Sequence, residues 1–249
     1  MSSPSESSPN TRERLDAAFI LRSKTGREST DLVIDYLLDG LIDGSILPGE
    51  RLNAKKLVEQ LDVSVVPIRE AIHFLAGEGV IELLPLKGAR IREMNAEEVV
   101  EWWKVIGAIT KLCFEPAVGA LVSDSEKSKL VESSLAAIES KTAPLDAVDY
   151  LMAQADFYRT LTYIGKQTIL EEAMRRIQTV YWLTYLPRYL PFDIYADDFT
   201  AHTRHVSAAM LRGDAQSAKS AFTHLVDWSS AIIRGARPTP GAPWVQQPS

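Results

Sequence analysis

The side chains best placed to do chemistry in this 249-residue sequence are cations and short polar groups gathered between residues 53 and 90. Lys55 and Lys56 stand just after Asn53. Ser64, Val65, Val66, Arg69 and His73 follow in one stretch, and Lys87 and Arg90 come last. Lysines suit phosphate oxygens, and an arginine suits a guanine edge or a phosphate. Valine methyls complement the methyl group of thymine. Val65, Arg69 and His73 fall at i, i+4 and i+8, so a helix through them points all three away from the apolar stripe Ile68, Ile72, Leu75 and Ala76. The chemistry implied is recognition of double-stranded DNA. Taken singly, each cation is an ordinary solvated charge.

That set must be held by helix, tight turn, helix, turn, helix and hairpin, the order of a winged helix-turn-helix. The first helix is expected from about Asp31 to Leu41, with Leu32, Val33, Tyr36, Leu37 and Leu41 inward and Asp31, Asp35, Asp39 and Asp43 outward. Gly44 ends it, and Pro48-Gly49 makes a turn. Asn53 caps a second helix ending near Leu61, with Leu57 and Leu61 inward. Ser64 caps a third, whose first turn accommodates Pro67 because that amide has no intrahelical partner. Gly77 and Gly79 break it. Val80 to Leu84 and Ala89 to Glu93 read as strands joined through Pro85-Leu86-Lys87-Gly88.

This stretch resembles the GntR family of bacterial transcription regulators. The resemblance rests on Gly44, Pro48-Gly49, Leu52, Leu57, Leu61, Val63-Ser64, Pro67-Ile68-Arg69-Glu70-Ala71-Ile72, Leu75, Glu78-Gly79-Val80 and Gly88. It implies DNA contacts at Lys55 and Arg69. The sequence departs from the family at Val65-Val66, where an arginine usually follows the serine; operator sequence and base readout are the properties this departure bears on.

The remainder predicts an all-α bundle with facing apolar stripes. Asn95 opens a long run to about Val122, with Val99, Trp102, Trp103, Ile106, Ile109, Leu112 and Phe114 as its apolar residues and Pro116 dividing it. Ser123 to Glu126 has a capping-box pattern opening a helix to about Ser140. Further helices are expected from Pro144 to Ile164, from Thr168 to Tyr185 with Pro187 and Pro191 closing it, from 195 to 211, and from Asp214 to Ile233. The predicted fold is therefore mainly α. It comprises a mobile arm (1–28), a winged helix-turn-helix with a small β-hairpin wing (29–93), a helical effector-binding and dimerisation domain (94–236) and a tail (237–249). Arg12, Arg14, Arg22, Lys24 and Arg27 make the arm mildly basic, which reads as a solvated leader in preference to an arm that brushes the DNA backbone, and Leu15 to Leu21 could turn helical.

Hydrophobic content of 46% suits a folded chain, and a net charge of -6 argues against indiscriminate nucleic-acid binding while allowing a local basic face. The single cysteine, Cys113, rules out an intrachain disulfide, fits a reducing compartment and reads as a buried small apolar residue. No apolar run approaches the roughly 20 residues of a membrane span, and the N-terminus carries no signal-peptide core. A cytoplasmic protein is expected.

Residues 95–235 resemble, in helix order and two local patterns, the FadR-type effector domain of that family. Many such domains hold a divalent metal through an aspartate and three histidines. Here Gln154, Tyr158, Thr203 and Leu225 stand at those positions, with His202, His205 and His224 displaced from them. No cofactor is expected, and a metal is disfavoured. A metal-free pocket for a small, acidic metabolite is the preferred expectation, with Gln154, Tyr158, Arg159, Thr203 and His205 as its polar groups. No Walker loop, GxSxG, HExxH or CxxC pair supports an enzyme; Asp197-Asp198 are adjacent on a helix and do not face one site. The expected protein is a homodimeric repressor that binds an inverted-repeat operator and responds to a small-molecule effector. The alternatives are a helical protein-interaction scaffold and a metal-dependent sensor with weakened DNA binding.

Overall fold

The computed structural model describes residues 27–141 and 145–241, without the side chains of 175–182. The expectations for the basic arm before Arg27, for a helix at 15–21, for Pro144 as a helix opener and for the tail beyond Gly241 lie outside these residues. The chain divides into two compact units, Met1–Met94 and Asn95–Ser249.

In the first unit, α1 (Glu28–Asp43) is longer than its apolar pattern suggested, because Glu28 and Asp31 supply a favourable acidic first turn. Its buried stripe is Val33, Ile34, Leu37, Leu38 and Leu41, whereas Leu32 is exposed. Asp35 and Asp39, expected outside, are half-buried. Gly44 ends the helix at φ 82°, a left-handed conformation that a β-carbon disfavours. Pro48 and Gly49 form the following turn, closed by Glu50 N–H donating to Leu47 O at 3.0 Å.

Asn53 caps α2 (Ala54–Leu61), its side chain accepting from the amides of Lys55 and Lys56. Ser64 occupies the N-cap position of α3 (Val65–Gly77) but makes no capping bond with its side chain. The buried face of α3 is Ile68, Ala71, Ile72 and Leu75, and it packs on α1. Ala76, expected inward, is only half-buried.

Three antiparallel strands follow the order β1-β3-β2: β1 (Arg51–Leu52), β2 (Ile81–Leu84) and β3 (Gly88–Ile91). The two-residue β1 is too short to show an alternating pattern and was not expected. Its register sets Arg51 opposite Arg90, which lies opposite Glu82 on the other side. Leu86 at the tip of the wing adopts φ 60° and is fully exposed.

Among the described residues the second unit is entirely helical. Asn95 and Glu98 form a reciprocal capping box at the start of α4 (Ala96–Thr110). The long run then breaks at a 3-10 turn, Lys111–Cys113, before α5 (Phe114–Leu121). The break thus precedes Pro116, which sits in the first turn of α5 where its missing N–H is harmless. Leu112, expected inward, is consequently exposed. Asp124, not Ser123, caps α6 (Ser125–Glu139).

Asp146 caps α7 (Ala147–Ile164). Next, α8 (Thr168–Tyr189) runs past its expected end and carries Pro187 in its last turn, where Arg188 Nε donates to Thr184 O at 3.1 Å. The last helices are α9 (Phe192–Leu211) and α10 (Ala215–Ile233). Helix α7 packs against α5, α6 and α8, and α9 lies along α10. Phe114, Phe157, Tyr158, Phe222 and Tyr150 are among the largest fully buried side chains. Cys113 is buried as well, and burial pushes its thiol pKa far up. No helix among the described residues is long and apolar enough to cross a membrane.

Candidate nucleic-acid interface

The outward face of α3 is built by the same packing that buries its inner face. With Ile68, Ala71, Ile72 and Leu75 against α1, the side chains of Val65, Val66, Arg69 and His73 must stand in solvent, and all four are exposed. Val66 is 62% exposed and Val65 44%, so two apolar side chains project at the first turn, where most exposed helix starts carry polar groups. The Ser64 hydroxyl, which makes no capping bond, lies beside them. Lys55 and Lys56 are exposed in the first turn of α2, and Lys87 is exposed at the wing tip.

Arg90 is half-buried on β3 and tied across the ladder, its Nε donating to Glu82 Oε2 at 2.7 Å. The Glu82 carboxylate raises its pKa further. β1 brings Arg51 next to it, a cation that sequence reading passed over because β1 itself was not seen.

A second omission is Glu70. Val66, Arg69, Glu70 and His73 fall at i, i+3, i+4 and i+7 and line one open recess together with Arg27. The Glu70 carboxylate is gripped by the Arg27 guanidinium and by the Thr30 hydroxyl, the latter at 2.9 Å. Those two donors, Arg27 first, hold its pKa below the ordinary carboxylate range. The i+4 spacing from Val66 was the available signal; a partner 43 residues away gave none.

In the helical unit, the residues proposed for a ligand pocket divide into two groups. Gln154, Tyr158 and Thr203 are buried and close together. Thr203 Oγ1 donates to Gln154 Oε1 at 2.8 Å, and Gln154 Nε2 donates to Tyr150 Oη at 2.8 Å. Tyr150 in turn donates to Ala196 O and pairs with Thr200 Oγ1, both at 2.9 Å. Burial pushes the Tyr150 phenol up to about 12. Tyr158 lies among Phe114, Phe157 and Phe222, and its hydroxyl makes no hydrogen bond of normal geometry.

Arg159 and His205 do not join this row. Arg159 pairs with Asp156 at 2.7 Å, and His205 is exposed with its Nδ1 2.7 Å from Ala201 O. Helical phase explains this, since Arg159 follows Tyr158 by one residue and His205 follows Thr203 by two. His202 and His224 instead meet each other, Nε2 to Nδ1 at 2.9 Å, beside Trp228. Among the described residues no three His, Cys, Asp or Glu side chains gather as a metal site.

Residues 30–91 match the family described as bacterial regulatory proteins, gntR family. The chain is 24% identical over 196 residues to the probable D-xylose utilization operon transcriptional repressor of Paenarthrobacter nicotinovorans, covering 78% of this chain and 84% of that protein. It is 30% identical over 95 residues to the HTH-type transcriptional regulator YdhC of Bacillus subtilis, spanning 38% of this chain and 42% of that protein. In structure it is similar to a putative transcriptional regulator GntR from Rhodococcus sp. RHA1, with a TM-score of 0.67, 21% identity, and coverage of 85% of this chain and 100% of that one. The matched segment begins within α1 and closes at the end of β3, taking in the outward face of α3. Residues 30–91, about a quarter of the chain, therefore resemble the gntR family of bacterial regulatory proteins.

Proposed function

We propose that this protein is a repressor of the FadR group that binds a short inverted-repeat operator as a cytoplasmic homodimer, with operator affinity set by a small molecule held in the helical unit. The observation that carries the DNA reading is the outward face of α3, where Val65, Val66, Arg69 and His73 are all solvent-exposed on a buried scaffold. Arg69 supplies the long donor for a guanine edge, and the two valines supply methyl contacts to thymine. Ser64, Lys55, Lys56, Lys87 and Arg90 surround that face and supply phosphate contacts that fix register. Two-fold symmetry of a dimer is mirrored by a two-fold operator.

The effector site is assigned to Gln154, Tyr158 and Thr203, with Tyr150 as their anchor. All four are uncharged. An acidic metabolite, the preference that the family resemblance carries, would here be met by hydroxyl and amide donors, since Arg159 and His205 lie elsewhere. Ligand binding that favours one of two head arrangements would couple this site to the operator.

The test is selection of bound DNA from a random pool by the purified chain, with and without a chelator. Enrichment of an inverted repeat, insensitive to chelator, is the expected result. Loss of binding on chelation would replace the metal-free sensor by a metal-dependent one. A folded, dimeric chain that enriches no sequence, alone or with candidate metabolites, would leave an interaction scaffold as the better reading.

A further inference from the structure

We infer that Arg27 is a phosphate-contacting residue of the reading head, held beside α3 by Glu70 and Thr30. The inference rests on the DNA reading of α3 given above and extends it to a residue outside the helix-turn-helix proper.

Arg27 is fixed at both ends. Its backbone carbonyl accepts from the amides of Thr30 and Asp31, each at 3.0 Å, which ties it to the start of α1. Its guanidinium reaches across to Glu70 on α3. Glu70 is fixed in turn, because the Thr30 hydroxyl donates to its other oxygen at 2.9 Å and Thr30 is only 1% exposed. The carboxylate is the inner partner and the guanidinium the outer one, with side-chain exposures of 32% and 66%. The cation therefore sits over the acid, on the solvent side of the recess that Val66, Arg69 and His73 also line.

The charge arrangement gives this placement a consequence. A carboxylate on a face that meets DNA repels the phosphate backbone at contact distance. Arg27 cancels that charge and, with its side chain 66% exposed, keeps a planar cationic group at the surface of that face. Because Arg27 comes from the flank of α1 rather than from α3, it stands at the edge of the reading face. Phosphates run along that edge, and base edges lie at its centre. Glu70 and Thr30 also remove rotamer freedom from the arginine before DNA arrives, which lowers the entropy lost on binding.

The experiment uses the full chain and the DNA fragment it enriches from a random pool, with affinity measured by fluorescence anisotropy across a salt series. One lost phosphate contact makes the slope of log affinity against log salt shallower by about 0.9, so the two lost from a homodimer make it shallower by about 1.8. Arg27→Ala is expected to weaken binding several-fold and to show that shallower slope. Arg27→Gln, which removes the charge but keeps amide donors for Glu70, gives the same slope and serves if the alanine variant does not fold.

The decisive variant is Arg27→Ala with Glu70→Gln. If Arg27 touches phosphate, the double variant keeps the shallow slope. If Arg27 only masks Glu70, the double variant recovers the native slope, and the inference is overturned. A native slope in Arg27→Ala itself overturns it as well. A native chain that enriches no DNA would instead overturn the reading of the whole head, and Arg27 with it.

Discussion

Replacing Gly107 with alanine sets two opposing effects against each other in the helical unit. Gly107 lies in α4 where that helix crosses α10, and a β-carbon built there falls 2.8 Å from Val226 Cγ2 and 3.5 Å from Cγ1. Carbon atoms prefer about 3.5–4.0 Å, so the overlap is at least about 0.7 Å. Val226 is buried at 6% exposure, and a branched side chain on a helix has one strongly preferred rotamer, so the methyl cannot swing away cheaply. Against this, alanine gains about 1 kcal/mol over glycine inside a helix. Overpacking of this kind costs about 1–3 kcal/mol, so the expected net loss is about 1 kcal/mol.

The pairwise origin can be isolated with Val226→Ala. That change alone removes two buried methyl groups, at about 0.8 kcal/mol each plus any residual cavity. In the double variant the methyl added at position 107 enters the vacated space, so the two losses should fail to add by at least about 1 kcal/mol. Urea unfolding followed by tryptophan fluorescence suits the measurement, because Trp102, Trp103, Trp182, Trp228 and Trp244 all follow Met94 in the sequence, within the second unit. Protein concentration is held fixed, since association shifts apparent stability. A Gly107→Ala chain as stable as the native one, or losses that add within about 0.5 kcal/mol, would refute the argument from close approach.

Three further outcomes are expected. Arg69→Ala should cost roughly 1–3 kcal/mol of specific operator binding, read by anisotropy; unchanged affinity would remove Arg69 from the interface. Val65→Arg should alter the sequence enriched from a random pool, because it sets a long donor where the native helix has methyls; an identical enrichment profile would mean that Val65 does not face bases. Desolvation lowers the pKa of His202 first of all, and that of His224 likewise, so the unfolded chain binds more protons than the folded one at mildly acidic pH. Stability of the helical unit should therefore be full above about pH 6.5 and fall as the pH drops below it. His202→Gln should flatten that part of the profile, and an unchanged pH dependence would show that the pair does not titrate on unfolding.

The first unit is legible in the sequence because its signals are local. Gly44, Pro48-Gly49, Asn53 and the stripe through Ile68, Ile72 and Leu75 each act within a turn or two of themselves, and all hold in the structure. The misses are of another kind. Strand β1 exists only through its pairing with β3, and two residues carry no period. The Arg27–Glu70–Thr30 contact joins positions about 40 residues apart, for which sequence spacing has no expression. The sequence points to Pro116 as the helix break, but the break falls at Lys111–Cys113, because a proline is tolerated near a helix start.

In the bundle, the row through Gln154 and Thr203 emerged only partly from the sequence. Gln154 and Tyr158 share a face by spacing, and Thr203 joins them across helices. Arg159 and His205 match the site by charge type, but helical phase turns them to Asp156 and Ala201 instead.

The buried thiol of Cys113 gives this chain a built-in clock. It is the one cysteine in the sequence, and it lies where the chain passes from α4 through a 3-10 turn into α5. Only a thiolate reacts at a useful rate, and burial suppresses that form. Modification by a thiol reagent must therefore wait for this corner of the helical unit to open, and its rate reports the free energy of that opening under native conditions. An effector or an operator that tightens the bundle would slow the clock, and one that loosens it would speed it, with no label added to the protein.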